Sequence, residues 1–587
     1  MFSKLKFLLN YTHQYRWWYT GGIIFLILTV WVSVTIPEFI QKSVDLIGTG
    51  PDEGRTEFYH NVLLIFALAL VLILVRTFSR ILIFFPARLI EKQLKGEMFK
   101  KLASFGKDYY DQNPTGNIIS RVNNDINGVR MITGFGILQI GNVLLSLSVT
   151  PYKMWKMSPA LTLYVIVPML IVFIAVRIGM AIMVKNTRLR MDILQRLSGK
   201  TISFLSGNSV IKNYNIYSYA EEEVQKENLS LFDKTMNIAW IRSFILPLLG
   251  NLGQILKIVV LFAGGMFVIN GEFTIGELTE YIAYSALLAQ PVMGLGWLLT
   301  VLQQGFVGIS SLQTIMNRNG VDDERKLLPV HEKEQLFKDG IHVKNLSYTY
   351  HNGERPELKD ISFSIEPGQV IGLTGKVGSG KTTLINCLNG YLRPEKGMVY
   401  FGEKDAAFLR GEDIRSLVRT VTQEVFLFSD TIENNIFLGA EKFSVKADFE
   451  DVVYKSAFAD ELTRMPMKEK TLVGEKGIML SGGQKQRISL ARALYTPCDL
   501  LILDDVFSAV DTETERFLIQ HVIKNHAAKS VLVVSNRISV LEKTDFTIVL
   551  EDGRLAAKGN HRDLLKQSKF YSDILNLQQE GHKKTKG

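Results

Sequence analysis

The chain has almost no cysteine. Cys387 and Cys498 are the only two in 587 residues. Two cysteines cannot build the disulfide framework of a small secreted domain, and a reducing compartment fits. Neither has metal-ligand spacing, so both read as small buried residues. An arginine-rich arm and a basic–aromatic cluster are also missing. The net charge of +9 therefore does not point to nucleic acid; basic residues flanking membrane spans account for it. No small-residue cleavage site follows the first apolar run, so an interfacial helix is a better reading than a signal peptide. There is no internal repeat and no low-complexity segment. Long apolar runs are absent beyond about residue 310, although the chain as a whole is 47% hydrophobic. The length calls for two or more domains, and the asymmetry predicts a membrane domain followed by a soluble one.

The N-terminal stretch carries Lys4, Lys6 and Arg16 among apolar residues, then Trp17, Trp18 and Tyr19. That pattern fits a helix lying in the interface and an aromatic belt at the membrane boundary. Six spans are expected, near 20–46, 60–85, 130–151, 160–183, 242–270 and 277–305. The segment between the first two, GTGPDEGRTEFYH, is short and acidic. Those after the second and fourth, ARLIEKQLKGEMFKK and KNTRLRMDILQR, are rich in Lys and Arg. The positive-inside rule puts the N terminus, both long connections and the soluble domain in the cytosol. Both connections read as helical continuations of the spans. The expected division is a transmembrane domain over 1–316, a charged linker over 317–340 and a soluble domain over 341–587.

In the soluble part, GKVGSGKTT (Gly375 to Thr383) follows the apolar strand VIGLT. It matches G-x-x-x-x-G-K-[ST] in the strand–loop–helix setting that a phosphate-binding loop requires. Backbone N–H groups around Gly375, Gly378, Ser379, Gly380 and Thr383 can wrap phosphates, helped by the following helix N-terminus. Lys381 would neutralise the outer phosphates of ATP and Thr382 would ligate Mg2+. Asp504, ending the strand DLLILD, is the carboxylate expected on the magnesium side. LSGGQKQR (Leu480 to Arg487) then sets two glycines after a serine at a helix start, another phosphate-facing arrangement.

With these motifs the chain resembles the ATP-binding cassette (ABC) family, and LSGGQ its signature. The likeness runs over essentially the whole chain, as an exporter half-transporter: six transmembrane helices ahead of an α/β P-loop nucleotide-binding domain. The resemblance implies roles for further residues. Tyr350 would stack on adenine. Gln423, in VTQEVFLF, would sense the metal and the attacking water. Ser481, Gly482, Gly483 and Gln484 would face ATP held by another nucleotide domain. GEKG (Gly474 to Gly477) and SAVD (Ser508 to Asp511) would contact a partner. NPTGNIISRVNNDI (Asn113 to Ile126) resembles the first cytosolic coupling segment, TIGELTEYIAYSALLAQP the sixth span, and the stretch near Ser206 to Tyr214 a second coupling segment.

Two positions depart from the family pattern. Asp505 stands where the family has a catalytic glutamate, and Asn536, in VLVVSNRIS, where it has a switch histidine. A base must come within about 3 Å of its water, and Asp505 falls roughly 1.5 Å short, one C–C bond. Asn536 has no protonatable ring. With every ATP-holding residue intact, the site is expected to bind ATP and hydrolyse it weakly. In the family, one member of a heterodimer can have a degenerate site and lend its intact signature to its partner's competent one. The resemblance therefore implies ATP-driven export of an amphipathic small molecule, drug or lipid across the cell membrane. This chain would be the degenerate subunit, beside a second half-transporter carrying Glu and His. The motifs are shared with importers built on the same fold, such as those for a metal-chelate compound, and with ATP-gated channels or regulatory subunits. They do not separate these.

Charges inside the spans cost about 2.5–3.5 kcal/mol each on insertion scales. Arg76, Arg80 and Lys257 lie in or near apolar runs. For the two arginines the simplest expectation is snorkelling or packing at the inner interface. Lys257, expected nearer mid-membrane, divides evenly between a translocation cavity and a structural partner.

Overall fold

The computed structural model describes residues 2–47, 54–320, 325–350, 355–438, 448–474, 477, 479–508, 510–524 and 528–584. The acidic loop residues 48–53 and linker residues 321–324 lie outside them, as do Glu475 and Lys476 of GEKG and Ala509 of SAVD. The chain divides into two compact units, one of 1–103 with 114–318, the other of 104–113 with 319–587.

The first unit is helical. Helix α1 is Phe2–Gln14, α2 Arg16–Ile47 and α3 Arg55–Ala103; α4, Lys107–Gln112, falls in the second unit. Next come α5 (Thr115–Ser120), α6 (Ile126–Met131) and α7 (Ile137–Met157), joined through two π-helical turns. They run as one helix, Thr115–Met157. Then follow α8 (Pro159–Ser206), α9 (Asn208–Tyr214), α10 (Tyr217–Gly250), α11 (Leu252–Ile269) and α12 (Ile275–Met316). Five of these helices are long and apolar enough to cross a membrane by length and composition: α2, α3, Thr115–Met157, α8 and α11. Helix α12 contains the sixth expected span, 277–305. The 49 residues of α3 extend about 70 Å, far beyond a hydrocarbon core of about 30 Å. The Lys/Arg-rich stretches after the second and fourth spans are helical continuations, as read from the sequence.

Two expectations need revision. The span 242–270 is two helices, α10 and α11, broken at Asn251. Pro247 brings no N–H and Gly250 and Asn251 are weak helix formers; the Asn251 amide turns back to donate to the Pro247 carbonyl at 2.9 Å. Ser104–Asn113 groups with the second unit, whereas Asn113–Ile126 lies largely in the first. Finally, residues 325–340 are not a free linker. Leu336 and Phe337 are buried in the core of the second unit, with Leu328 packed against it. Lys333 pairs with the fully buried Asp413 at 2.7 Å. The charges of this segment hide a few well-placed apolar side chains.

The core of the membrane unit gathers Val30 and Val34 of α2, Leu161 and Val165 of α8, and Tyr281 and Tyr284 of α12. Both tyrosines are fully buried. The Tyr281 hydroxyl bonds Thr162 at 2.5 Å, and that of Tyr284 donates to Glu280 at 2.7 Å. These two buried hydroxyls are thus satisfied, as burial favours.

The second unit has two sheets. Strands β1 (Ile341–Tyr348), β2 (Leu358–Ile365), β4 (Val399–Phe401) and β5 (Lys404–Asp405) form one, in the order β2-β1-β4-β5. The other contains β3 (Val370–Gly375), β6 (Val418–Val421), β7 (Leu500–Asp504), β8 (Ser530–Val534), β9 (Phe546–Glu551) and β10 (Arg554–Gly559). Its order is β10-β9-β3-β8-β7-β6, with β9, β3, β8, β7 and β6 parallel. Strands β7 and β8 are buried at every position. A parallel sheet covered on both faces demands such unbroken apolar runs.

Candidate nucleotide site

Each functional residue of the larger sheet follows the C-terminal end of a parallel strand. The glycine-rich loop follows β3, Gln423 follows β6, Asp504 ends β7 and Asn536 follows β8. In open α/β sheets ligands bind at this edge. The four strand ends meet at a cleft of about 270 Å3, whose lining includes Gly378, Ser379, Gly380, Lys381, Thr382, Thr383, Gln423, Asp504, Asp505 and Asn536. Residues scattered over more than 150 positions of sequence thus share one small space.

The loop is shaped by glycines that no other residue could replace. Gly375 has φ +154°, and a Cβ there would sit 2.2 Å from the Leu550 carbonyl oxygen and 2.6 Å from Ser379 Oγ. Gly380 has φ +95°, and its Cβ would meet Leu358 at 2.7 Å. After it the helix Lys381–Leu388 begins. Lys381 Nζ donates to the carbonyls of Gly375 and Lys376, both at 2.8 Å. Burial lowers its pKa, opposed by Asp504 and Asp505. Ser379 Oγ is buried without a hydrogen-bond partner among the described residues. A buried hydroxyl left open is costly, and a phosphate oxygen would satisfy it. Tyr350 is not part of the cleft lining; its hydroxyl reaches Thr383 Oγ1 at 3.2 Å.

The carboxylates are partly to fully buried at the edge of this polar cleft. Burial pushes the Asp504 carboxyl up to about 6; the charge of Asp505 adds to this and Lys381 opposes it. Burial also raises Asp505, while Ser508, Lys381 and Arg537 pull it down. Asp505 has φ +53°, a left-handed conformation that aspartate and asparagine adopt more readily than other L residues. Its N–H donates to the Val534 carbonyl at 3.1 Å, and its own carbonyl accepts from Ser508 Oγ at 2.9 Å. Asn536 is held too: its Oδ1 accepts from Thr374 Oγ1 at 2.8 Å, and its carbonyl accepts from Gln578 at 2.8 Å. Thr382, Gln423 and Asp504 supply the oxygen set a hard divalent cation prefers. The phosphate cradle, the open Ser379 hydroxyl and this set together fit ATP with Mg2+.

The signature is not in this cleft. Ser481 caps the helix Gly482–Tyr495: its Oγ accepts from the Gln484 N–H at 3.2 Å, while its own N–H donates to Gln484 Oε1 at 2.9 Å. This reciprocal box explains the serine and glutamine locally. Gly482 and Gly483 form the first turn.

Sequence reasoning missed Glu357, which lines the cleft although it belongs to no motif. It also missed Thr374, fully buried at the end of β3, which orients Asn536; a lone threonine in an apolar strand was its only signal. Of the three intramembrane cations, Arg76 and Arg80 line a cavity of the membrane unit. Lys257 lines none of the cavities described here. Both cysteines are free, their thiols pushed up to about 12 by burial.

Comparison with known proteins agrees with this geometry. The ABC transporter family matches residues 358–508, and the ABC transporter transmembrane region matches 19–292. The chain is 29% identical to the "Probable multidrug resistance ABC transporter ATP-binding/permease protein YheI" of Bacillus subtilis, over 99% of this chain and 98% of that protein. It is 27% identical to the multidrug resistance-like ATP-binding protein MdlA of Escherichia coli, over 96% and 94%. It is 31% identical to the ATP-dependent lipid A-core flippase of Pseudomonas putida, over 82% and 79%. Among solved structures, a bacterial Atm1-family ABC exporter with ATP bound has the same fold, with a TM-score of 0.78 at 21% identity, covering 96% of this chain and 99% of that one. A helical membrane unit, a P-loop sheet and a signature helix in one polypeptide, matched by both family regions, make this chain a membrane-spanning member of the ABC transporter family, of the exporter type.

Proposed function

We propose that the chain is the degenerate-site subunit of a heterodimeric exporter that uses ATP to move an amphipathic small molecule, drug or lipid out across the cytoplasmic membrane. One observation carries this reading. Asp505 and Asn536 line the same cleft as an intact phosphate loop, while the signature stands capped and complete elsewhere on the chain.

In this reading the glycine loop, Ser379 and Lys381 hold the phosphates, and Tyr350 stacks on the base. Thr382, Gln423 and Asp504 hold Mg2+, which supplies positive charge against the phosphate oxygens. Lys381 gives up its two loop carbonyls to turn to the phosphates. Asp505 is too short to take a proton from water. Asn536, already accepting from Thr374, can offer its amide N–H2 as a neutral donor but cannot cycle a proton. ATP is therefore held longer than it is cleaved. Ser481 to Gln484 serve the nucleotide of a partner bearing the glutamate and histidine. The relatives with multidrug-resistance and lipid-flippase names support the substrate class.

The test restores what is missing. Asp505→Glu with Asn536→His should raise hydrolysis at this site in a complex whose other site is disabled. A histidine can accept the Thr374 hydroxyl at one ring nitrogen and donate from the other. A working general base contributes about 10²–10⁴ in rate. Unchanged phosphate release, with ATP still bound, would sink the degenerate-site reading.

A further inference from the structure

Several charged side chains of the membrane unit form ion pairs. Lys153 meets Glu38, Arg88 and Arg130 meet Glu91, and Lys200 meets Glu223 and Glu227. Arg76 and Arg80 differ. Neither has an ion-pair or hydrogen-bond partner among the described residues. One turn apart on α3, they face the same side and line a cavity of about 140 Å3 between α2, α3, α7 and α12. Its other polar walls include Ser33, Asn142, Ser146 and Gln290, and no carboxylate lines it.

Counted at 1.5 Å per residue from the outer side, Asn142 lies about 23 Å from the last residue of α7, Gln290 about 23 Å from the first of α12, and Arg76 about 24 Å and Arg80 about 30 Å from His60, where the apolar run of α3 starts. In a hydrocarbon core of about 30 Å the cavity therefore sits toward the inner boundary, the level of lipid and amphiphile head groups. Simple snorkelling does not account for a shared pocket of hydroxyls and amides.

We infer that Arg76 and Arg80 form a head-group site for an amphipathic anion, a compound carrying a phosphate, carboxylate or sulfonate on an apolar body. The guanidinium pair provides charge-assisted hydrogen bonds to the anion, and Asn142 and Gln290 can add neutral ones. The cavity is small beside the roughly 300–1,000 Å3 that encloses a whole drug-sized ligand. It takes the head group and leaves the tail against apolar helix faces. This deepens the export reading and rests on it for its biological sense.

The test uses the full chain in neutral phosphatidylcholine nanodiscs and compares dodecyl phosphate with dodecylphosphocholine, which share a tail. The wild type should bind dodecyl phosphate about tenfold tighter or more. Arg76→Gln with Arg80→Gln should erase the preference and leave ATP binding intact. Arg76→Lys with Arg80→Lys should keep most of it. Lys257→Gln, which removes a membrane charge outside this cavity, should not change it. Adding phosphatidylglycerol distinguishes the source, and either result supports the site. Competition marks a bilayer lipid as the ligand; lack of it marks a water-borne amphiphile. Equal affinities in the wild type overturn the site whether or not the glutamine pair folds, and so does a preference that survives in the glutamine pair. A preference as expected, with no ATP-driven uptake of dodecyl phosphate into inside-out vesicles, overturns export and leaves the site standing.

Discussion

Gly482→Asp and Asp505→Asn are two changes that the fold of this chain should absorb, so the assay reads chemistry. Gly482 opens the signature helix, and a Cβ there would meet nothing within 4 Å. An aspartate in a first helical turn is also favoured by the dipole. The capping pair of Ser481 and Gln484 is untouched. Ser481→Ala would be a poorer probe, because it removes the cap and costs about 0.5–2 kcal/mol of helix stability. Asp505→Asn is isosteric, and asparagine tolerates the left-handed φ of +53° as well as aspartate does. The backbone hydrogen bonds of Asp505 to Val534 and Ser508 survive. Both variants should therefore unfold at the wild-type temperature.

Their turnover should differ widely. At the partner's ATP, the new carboxylate obstructs a preorganised N–H donor, worth about 2.7–4 kcal/mol or 10²–10³ in rate. It also brings a negative charge toward the γ-phosphate. If the site is degenerate as proposed, Asp505→Asn removes a base that contributes little, so only a small fraction of turnover should be lost. The assay is steady-state phosphate release from proteoliposomes containing this chain with the second half-transporter that the proposal requires. If Asp505→Asn abolishes release while Gly482→Asp runs normally, this chain supplies the working catalytic site and the reasoning is refuted.

The raised Asp504 carboxyl makes metal binding depend on pH. Manganese–nucleotide affinity, followed by electron paramagnetic resonance, should be level above pH 7 and fall about tenfold per unit below pH 6. Asp505→Asn removes a neighbouring charge and should move that midpoint lower. Stability has the opposite dependence. The folded state holds the Asp504 proton up to about pH 6, whereas an unfolded aspartate releases it near 3.9. This group therefore destabilises the free chain increasingly as pH rises through that window. Its contribution should raise the melting temperature on acidification from pH 7 to 5, and Asp504→Asn should remove that share. Gly375→Ala drives a methyl to 2.2 Å from the Leu550 carbonyl. It should abolish fluorescent-ATP binding and destabilise the chain by about 1–3 kcal/mol, read by thermal unfolding; unaltered binding would mean the loop is not the phosphate cradle.

The sequence by itself determined whatever is local. The phosphate loop is nine consecutive residues whose N–H groups, glycine conformations and helix start belong to one turn of chain. The signature cap needs only Ser481 and Gln484, three residues apart. Membrane spans follow from apolar length, and the two unusual residues, Asp505 and Asn536, were legible because each sits at a fixed offset from a strand. Tertiary structure decided everything that depends on which elements are neighbours. It brought Gln423, Asp504 and Asn536 to one cleft, because strand order, which the sequence does not give, puts β8 between β3 and β7. It supplied Thr374 as the partner of Asn536. It made residues 325–340 part of a core, because burial of Leu336 and Phe337 depends on the strands they cover. Residue count gives a charge its depth in a span but not the direction it faces around the helix. That is why Arg76 and Arg80 were expected to snorkel and Lys257 was a candidate for the cavity, while the fold puts the two arginines on the wall of one shared polar cavity.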